Sequence, residues 1–393
     1  MPQLLEEMLR EPLEAVMHRE RHRLETLLAL RCNRVVLFGA GGLGKRAISQ
    51  LKSIGIAPLA VTDNRQSLWG GELDGLPILS PTVAATRFGA DASFLITIWN
   101  EFHYFNETAE QLRQLGCTQV LPYTYLHWRF PEEFLPCLLN DFPHKLYEDR
   151  ERVLEVETMW ADVASADLYR ANIRFRALGE PQHLPGRPKE KTYLPADIFM
   201  LKEDDCILDC GATKGEMTEE VLRKYGSNFT AFHALEADKI SFQNLEAYRN
   251  RLPDSIQQKM ILYPYAVGGA RCTVYFSNTG QTGSKICEEG VAVECFPIDE
   301  LFAETPLTFI KMDIEGAEYD ALLGGKRVIE RDRPILAICV YHTQNDIWRI
   351  PLLAHEMLPE HKLYLRAYEG DGYQTVMYAV SPERVVRNEG GQS

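Results

Sequence analysis

The sequence predicts an α/β protein with two doubly wound domains, and two observations carry this prediction. Glycine-rich turns occur in LFGAGGLG and in LDCGATKG, and each follows an apolar run and precedes a segment of helical periodicity. After each turn, apolar runs of strand length alternate with helix-length segments, which is the pattern of a parallel sheet with crossover helices. Because a domain has roughly 150 residues, a chain of 393 residues has room for two such domains and their connections.

Composition divides the chain into four predicted segments. The first is acidic with helical spacing, and the second and fourth hold alternating strands and helices. The third is rich in charged residues and ends in a loop rich in proline and glycine. We therefore predict an N-terminal helix, a Rossmann-like domain of nucleotide-binding type, a helical connector with a linker, and a second Rossmann-like domain, at 1–29, 30–128, 129–190 and 191–386 respectively.

The overall charge restricts the classes of partner. The chain has 42 Lys and Arg against 56 Asp and Glu, which gives a net charge of −14. Nonspecific nucleic-acid binding and anionic membranes both require clustered positive charge, so we expect neither partner. The sequence has no uninterrupted apolar run of ~18 residues and no CxxC pair, so we expect a cytoplasmic protein with reduced thiols. The sequence leaves the oligomeric state open.

The N-terminal glycine turn matches a dinucleotide-binding fingerprint. Gly39, Gly41 and Gly44 form G-x-G-x-x-G between a strand and a helix, and Asp63 lies 24 residues past Gly39, at the end of the next strand. The segment lacks a convincing set of hydride-transfer residues. It is therefore a candidate second nucleotide site, with a nucleotide sugar as a candidate ligand, or a fold that serves only for packing.

The C-terminal glycine turn differs because an acidic residue precedes it. Asp209 ends a strand, Gly211 and Gly215 shape the turn, and Glu236 follows 27 residues past Asp209, at the end of the next strand. An acid at the turn suits a cationic ligand better than a pyrophosphate, and a carboxylate in the position of Glu236 can accept both ribose hydroxyls. These features together indicate a site for S-adenosylmethionine.

The last two predicted strands close the sheet of the second domain. KLYLRAY and TVMYAVS have no helix-length spacer between them, so they form an antiparallel hairpin at the edge of a seven-stranded, mostly parallel sheet. RCTVYFS and VAVECFPI predict an inserted hairpin. The other five predicted strands are Cys206–Cys210, Phe232–Glu236, Ile261–Val267, Thr308–Met312 and Ile335–Tyr341.

Several segments of the C-terminal half resemble the FkbM family of S-adenosylmethionine-dependent methyltransferases. They are ILDCGATKGEMT, HALEAD, AVGG, IKMDIEGAE and VYH, and the resemblance covers about 190–385. The N-terminal half resembles the extra domain found upstream in a subset of this family. The resemblance implies a methyltransferase sheet in which Asp209, Gly211 and Gly215 contact the methionine part of the cofactor, with Ala212 as a further cofactor-binding residue. It further implies that Glu236 binds the ribose and that Ala266 and Val267 line the adenine.

Acidic residues and a histidine follow the fourth and fifth predicted strands. Asp313, Glu315 and Glu318 come after one strand, and His342 after the next. Ligands bind at the carboxyl ends of such strands, so Asp313, His342 and Glu315 are our catalytic candidates, with His342 or Asp313 as the base for an acceptor hydroxyl. The alternative is that Asp313 caps a helix and both glutamates lie in its first turn.

The sequence offers four further candidate features. Asp313 with Glu315 or His342 could hold a divalent metal, but nothing in the sequence requires one and we expect none. Tyr193 precedes the first strand, where a lid over the cofactor would lie, and Ser284 lies in a polar loop that could cover the acceptor. Lys311 is a candidate buried partner of a carboxylate.

The leading interpretation is a methyltransferase acting on a hydroxyl of a sugar, a glycan precursor or a polyketide-like metabolite. This acceptor class rests on the resemblance alone. An NAD(P)-dependent oxidoreductase using the N-terminal G-x-G-x-x-G turn is the first alternative. A non-catalytic scaffold that binds a nucleotide sugar is the second.

Overall fold

The structure is a computed structural model that describes residues 3–100, 102–188, 192–276 and 290–386. The chain divides into two compact units. The first contains the described residues of 1–157, 167–189 and 367–374, and the second those of 158–166, 190–366 and 375–393. In the described ranges, no helix is both long and apolar enough to cross a membrane.

The first unit is built on a six-stranded sheet of order β3-β4-β2-β1-β5-β6. Neighbouring strands are parallel, except that β3 is antiparallel to β4. All residues of the central strands β1 and β5 are buried, as their apolar composition predicts. The strands are β1 Val35–Phe38, β2 Ala60–Thr62, β3 Glu72–Leu73, β4 Leu76–Leu79, β5 Ser93–Ile96 and β6 Gln119–Pro122.

Helices follow most strands of this unit and continue into a helical segment after β6. The prediction of one N-terminal helix is wrong, because α1 ends at Met8 and α2 begins only after Pro12, which has no amide hydrogen for a continuing helix. The helices are α1 Gln3–Met8, α2 Leu13–Ala29, α3 Gly42–Ser53, α4 Pro81–Phe88, α5 Phe105–Gln114, α6 Thr124–Arg129, α7 Pro131–Phe134, α8 Pro143–Glu148, α9 Arg150–Glu157 and α10 Val163–Leu178.

The second unit is built on a seven-stranded sheet of order β15-β16-β14-β13-β7-β8-β9. Strands β14, β13, β7, β8 and β9 are parallel, whereas β16 is antiparallel to β14, so the predicted sheet and its terminal hairpin are confirmed. The strands are β7 Cys206–Cys210, β8 Ala231–Leu235, β9 Met260–Tyr263, β13 Phe309–Met312, β14 Ile335–Cys339, β15 Lys362–Ala367 and β16 Thr375–Val380.

A small separate sheet has the order β10-β12-β11. It consists of β10 Ala266–Val267, β11 Cys272–Phe276 and β12 Val291–Phe296, and the antiparallel pairing of β11 with β12 confirms the inserted hairpin. The prediction of one strand over Ile261–Val267 is wrong. Pro264 separates β9 from β10, because proline cannot donate to a strand ladder.

Helices connect the parallel strands of the second unit. Pro351 lies inside α17. The helices are α11 Glu216–Tyr225, α12 Lys239–Arg249, α13 Asp254–Gln257, α14 Ile298–Leu301, α15 Glu318–Gly324, α16 Lys326–Asp332 and α17 Asp346–Met357.

Candidate functional site

The predicted site residues of the second unit gather at one edge of its sheet. Asp209 lies at the end of β7, and Glu236, Asp313 and His342 follow β8, β13 and β14 respectively. These strands are parallel and adjacent, so their carboxyl ends share one edge.

Asp209 is fully buried and forms an ion pair with Lys311. The two residues are register partners on β7 and β13, and the ammonium lies 3.0 Å from Oδ1 of Asp209. Burial raises the pKa of the Asp209 carboxyl, although Lys311 opposes this change, and the neighbouring carboxylates raise the pKa of Lys311 despite burial. Lys311 also donates a hydrogen bond to the carbonyl of Gly211 at 2.9 Å. The pair therefore stabilises the start of the glycine turn through the backbone carbonyl of Gly211.

Close contacts with neighbouring residues explain why the turn has glycine at two positions. Gly211 has a φ of +80°, and a Cβ there would overlap the carbonyl oxygen of Asp313. Gly215 has a φ of +97°, and a Cβ there would lie 2.7 Å from the ring of Tyr248. A larger residue at Gly211 would therefore push the turn away from the loop that carries Asp313, and one at Gly215 would push it away from Tyr248.

The first amides of this turn already have hydrogen-bond partners. The N–H groups of Gly211 and Ala212 both donate to the carbonyl of Leu235 at 3.0 Å. The N–H of Thr213 donates to Oε2 of Glu236 at 2.8 Å. The turn after β7 is therefore tied to the carboxyl end of β8, and it does not present its first amides to a ligand.

Glu236 is the carboxylate best placed to meet a ligand at this end of the sheet. It lines a cavity of about 410 Å³, together with residues of α12, β12 and the segment between β9 and β10. Its oxygens accept hydrogen bonds from the N–H groups of Thr213 and Asp238, at 2.8 and 2.7 Å. Burial outweighs these bonds and raises the pKa of Glu236 to about 7.

The cavity that Glu236 lines is also bordered by the segment between β9 and β10. Its lining includes Pro264 and Tyr265, whereas Ala266 and Val267 are buried in β10 and are not among the lining residues. Pro264 ends β9 early, and the chain between β9 and β10 therefore has two residues, Pro264 and Tyr265, outside both sheets.

Asp313, His342 and Glu318 form an ion-paired cluster around a buried histidine. His342 Nδ1 lies 2.8 Å from Glu318 Oε1, and its Nε2 lies 3.2 Å from Asp313 Oδ1. Glu318 in turn accepts the N–H groups of Ile314 and Gly316, at 2.7 and 3.0 Å. Glu318 thus holds both the loop after β13 and the histidine, a role that the sequence reading did not give it.

The charges in this cluster stabilise one another. Burial lowers the pKa of His342, but the negative charge of Glu318 and the hydrogen bond with Asp313 outweigh it, so the pKa is well above the ordinary value. Burial raises the pKa of Asp313, but the bond with His342 and the charge of Lys311 hold it well below its usual range. These interactions favour the charged imidazolium form of His342.

The exposed fraction of each side chain indicates which residues of this cluster an acceptor could contact. The side chains of Asp313 and Glu315 are 19% and 27% exposed, whereas that of His342 is 1% exposed. Glu315 Oε2 lies 3.9 Å from His342 Nε2. A protonated and buried histidine is poorly placed to act as the first base, so the structure favours Asp313 over His342 for direct contact.

Two tyrosines contact the carboxylate of Asp313. The hydroxyl of Tyr193 donates to Oδ2 at 2.7 Å, and that of Tyr341 donates to Oδ1 at 3.4 Å. Burial raises the pKa of the Tyr193 hydroxyl well above its ordinary value, so it remains a donor. Tyr193 was a minor candidate from the sequence, and Tyr341 was not identified.

The same cluster is a candidate metal-binding group. Ligand atoms of Asp313, Glu318 and His342 all lie within 4.8 Å of one another. A cation there would have to replace the contacts of His342 with Glu318 and Asp313 and displace a proton from the imidazole. The donor set fits a divalent metal in composition, but the existing contacts must first be broken.

The N-terminal fingerprint adopts the predicted strand–turn–helix, with Gly39 and Gly41 between β1 and α3 and Gly44 in the first turn of α3. Oδ2 of Asp63 accepts the N–H of Ala40 and one guanidinium nitrogen of Arg65, at 2.8 and 2.9 Å. Its Oδ1 accepts the N–H and Nε of Arg65, at 2.9 and 3.0 Å. Four bonds fill the acceptor capacity of a carboxylate, so Asp63 offers no lone pair to a ribose in this conformation.

The predicted polar loop of the inserted hairpin cannot be placed beside this site. Ser284 lies outside the described residues, which resume at Gly290.

Comparisons with known proteins agree with the fold. A family model described as the methyltransferase FkbM domain matches residues 209–374, a range that includes Asp209, Glu236, Asp313 and His342. The chain is similar to the crystal structure of methyltransferase FkbM from Methylobacillus flagellatus KT, with 21% identity and a TM-score of 0.75 over 96% of this chain and 100% of that chain. At this identity, the likeness shows the fold alone.

More distant structures match about half of the chain. Fibrillarin from Aeropyrum pernix, solved with natively bound S-adenosyl-L-methionine, has 10% identity and a TM-score of 0.29 over 46% of this chain and 67% of that chain. A putative rRNA-methylase from Clostridium thermocellum has 8% identity and a TM-score of 0.31 over 47% and 90%. TM-scores of this size carry no argument, and no curated protein matches the chain. The family match identifies residues 209–374 as a methyltransferase FkbM domain.

Proposed function

We propose that the chain is an S-adenosylmethionine-dependent methyltransferase that methylates a hydroxyl group on a sugar, a glycan precursor or a polyketide-like metabolite. The observation that carries the proposal is the contact between Gly211 and Asp313. The turn assigned to the methyl donor touches the loop that carries the candidate acceptor-binding carboxylate, so close that only glycine fits. Donor and acceptor must be held adjacent and aligned for methyl transfer.

The residues at the sheet edge fit the donor in one specific respect. Glu236 is a buried carboxylate that lines a cavity of about 410 Å³, and its position after β8 suits two ribose hydroxyls. The donor, when bound, supplies an electrophilic methyl carbon on a sulfonium sulfur. Asp209 is fully buried and paired with Lys311, so we assign it to shaping the turn and not to direct contact with the donor.

We assign Asp313 to binding the acceptor hydroxyl. Its carboxylate accepts a hydrogen bond from the acceptor hydroxyl, orients the oxygen and takes the proton as the new C–O bond forms and the methyl carbon–sulfur bond breaks, with S-adenosylhomocysteine as the leaving group. The hydroxyl proton becomes strongly acidic as its oxygen bonds to carbon, so a carboxylate of low pKa suffices as the proton acceptor. His342 and Tyr193 position Asp313 and stabilise its charge.

A turnover assay tests this proposal. The protein is incubated with methyl-labelled S-adenosylmethionine and a panel of sugars and hydroxylated metabolites, and the labelled product is identified by NMR. A methoxy product is expected, and Asp313→Asn should lower kcat by about 100-fold or more, the scale of a lost general base. Asp320→Asn, on an exposed position of α15, is the matched control. Methylation of nitrogen or carbon only, or an Asp313→Asn variant as active as the control, would contradict the proposal.

A further inference from the structure

The first unit contains a cavity of about 300 Å³ that the predicted function does not use. It lies at the carboxyl edge of the six-stranded sheet, because it is lined from the segments that follow β1, β5 and β6. Ligands of doubly wound sheets bind at this edge, where the strand order reverses, and here the order reverses between β1 and β5.

Aromatic rings form a large part of the lining. Trp99, His127, Phe134 and Tyr373 all line the cavity. His127 is stacked on Phe134 with a centroid distance of 4.8 Å, and Trp99 lies 5.3 Å from Tyr373. Flat aromatic walls of this kind suit a ring-shaped ligand.

Two buried donors in the lining lack partners. His127 is 3% exposed, and within the described part of the chain neither its Nε2 nor the indole nitrogen of Trp99 has a hydrogen-bond partner. The amide nitrogen of Asn140 lies 3.0 Å from His127 Nδ1, and donation from this amide places the imidazole hydrogen on Nε2. Burial, with the positive charge of Arg46, lowers the pKa of His127 to about 3, so the ring stays neutral. Buried donors without partners are costly, so these two positions call for an acceptor atom.

Positive charge lies beside the donors. Arg46 lines the cavity from α3, and its guanidinium is 3.9 Å from Glu133, a long contact that leaves most of its donors available. Leu43, in the first turn of α3, is also in the lining, and Gly41 provides no side-chain cap for this helix. Uncapped amides and the helix dipole favour an anion at such an end.

We infer that this cavity binds a phosphate monoester that carries a ring with hydrogen-bond acceptors, which describes both a sugar phosphate and a nucleoside monophosphate. The phosphate meets Arg46 and the first turn of α3. The ring lies among the aromatic side chains, and its oxygen or nitrogen acceptors meet Trp99 and His127. The site differs from the dinucleotide mode predicted from the fingerprint, because it does not use Asp63.

Isothermal titration of the full chain tests the inference with four probes. They are glucose 6-phosphate, uridine monophosphate, unphosphorylated glucose and inorganic phosphate. Binding of one ester, at least about tenfold tighter than glucose and inorganic phosphate, is expected, since each half of the ligand contributes separate contacts. Tighter binding of glucose 6-phosphate would identify the ligand as a sugar phosphate, and tighter binding of uridine monophosphate would identify it as a nucleoside monophosphate.

Variants locate the binding in the cavity. His127→Phe retains an aromatic ring beside Phe134 and removes the donor, and Arg46→Gln removes the charge. Each should weaken the ester by about tenfold or more, the effect of losing a bond to a charged or buried group. Arg113→Gln is the matched control, since Arg113 and Arg46 are both 51% exposed and both lie 3.9 Å from a glutamate.

Three results would overturn the inference: neither ester binds, inorganic phosphate binds as tightly as the esters, or both cavity variants bind like the control. Arg46 is at the surface, so Arg46→Gln keeps the test decisive if His127→Phe does not fold. The measurement does not depend on methyl transfer, because binding is read directly and methyl donor is absent from every titration.

Discussion

The ammonium of Lys311 lies 3.0 Å from the carboxylate of Asp209, and both side chains are buried at facing positions of β13 and β7. This ion pair lies next to the glycine turn, since Lys311 also donates a hydrogen bond to the carbonyl of Gly211. A charge pair in the centre of a sheet is costly to desolvate, and removing one partner leaves the other charge uncompensated.

The pair should therefore show strong coupling in stability. We expect Asp209→Asn and Lys311→Met each to lower the free energy of unfolding by about 3–5 kcal/mol, because each leaves a buried group without its partner. The double variant should lose clearly less than the sum of the two. Chemical denaturation of the four proteins measures the coupling, and additive losses would contradict the ion pair.

Replacement of His342 should reduce turnover without affecting donor binding. His342→Gln removes the cation between Asp313 and Glu318, so we expect a loss of about 3–5 kcal/mol in stability and a lower kcat. The dissociation constant for S-adenosylhomocysteine should stay unchanged. Loss of the imidazolium also raises the pKa of Asp313, so the acid limb of the pH profile of kcat should move to higher pH.

The stability loss in this variant should depend on pH in a defined direction. The folded protein raises the pKa of His342 above the ordinary histidine value of about 6.5, so its stabilising contribution is complete below about 6.5 and decreases as pH rises through the folded value. The difference in unfolding free energy between wild type and His342→Gln should therefore be larger at pH 6 than at strongly alkaline pH. A difference that increases with pH would refute the charge assignment.

Tyr193 should act through Asp313. Tyr193→Phe retains the ring and removes a hydrogen bond of 2.7 Å to Oδ2, so we expect about 1 kcal/mol of lost stability and a several-fold lower kcat. Tyr263→Phe is the control, since it removes a contact of 3.0 Å to His233 away from Asp313. The control should lose similar stability and keep its kcat, and equal kcat values for the two variants would exclude a role of Tyr193 in positioning Asp313.

Donor affinity should depend on the ionisation of Glu236. Burial raises the pKa of this carboxyl to about 7, and only the carboxylate can accept hydrogen bonds from two hydroxyls. The affinity for S-adenosylhomocysteine should therefore rise between pH 6 and pH 8, with a slope of up to about tenfold per pH unit below the pKa. Glu236→Gln should bind more weakly with a flatter profile over the same range, which titrations at several pH values measure.

Much of the fold follows from local patterns in the sequence. Both glycine turns, the buried central strands and the terminal hairpin lie where apolar runs and glycine spacing predict them. The errors arise at prolines. Pro12 divides the N-terminal helix and Pro264 ends β9 early, because a missing amide hydrogen outweighs the surrounding periodicity.

The candidate site was less predictable because its charges depend on three-dimensional neighbours. Sequence spacing placed Asp313 and His342 at one edge of the sheet, and the structure brings them to 3.2 Å. The protonation of His342 could not be inferred, since it depends on Glu318 and on burial. Asp63 likewise has the fingerprint spacing, but its oxygens accept hydrogen bonds from Ala40 and Arg65.

Titration of the purified protein with S-adenosylhomocysteine, with NAD and NADP in parallel, tests the central claim most directly. We expect micromolar binding of S-adenosylhomocysteine that Glu236→Gln weakens by about tenfold or more, the loss of hydrogen bonds to a charged group. Glu246→Gln, at an exposed position of the same cavity, should change it little. Binding of a nicotinamide cofactor alone, or equal affinity in wild type and Glu236→Gln, would contradict the account.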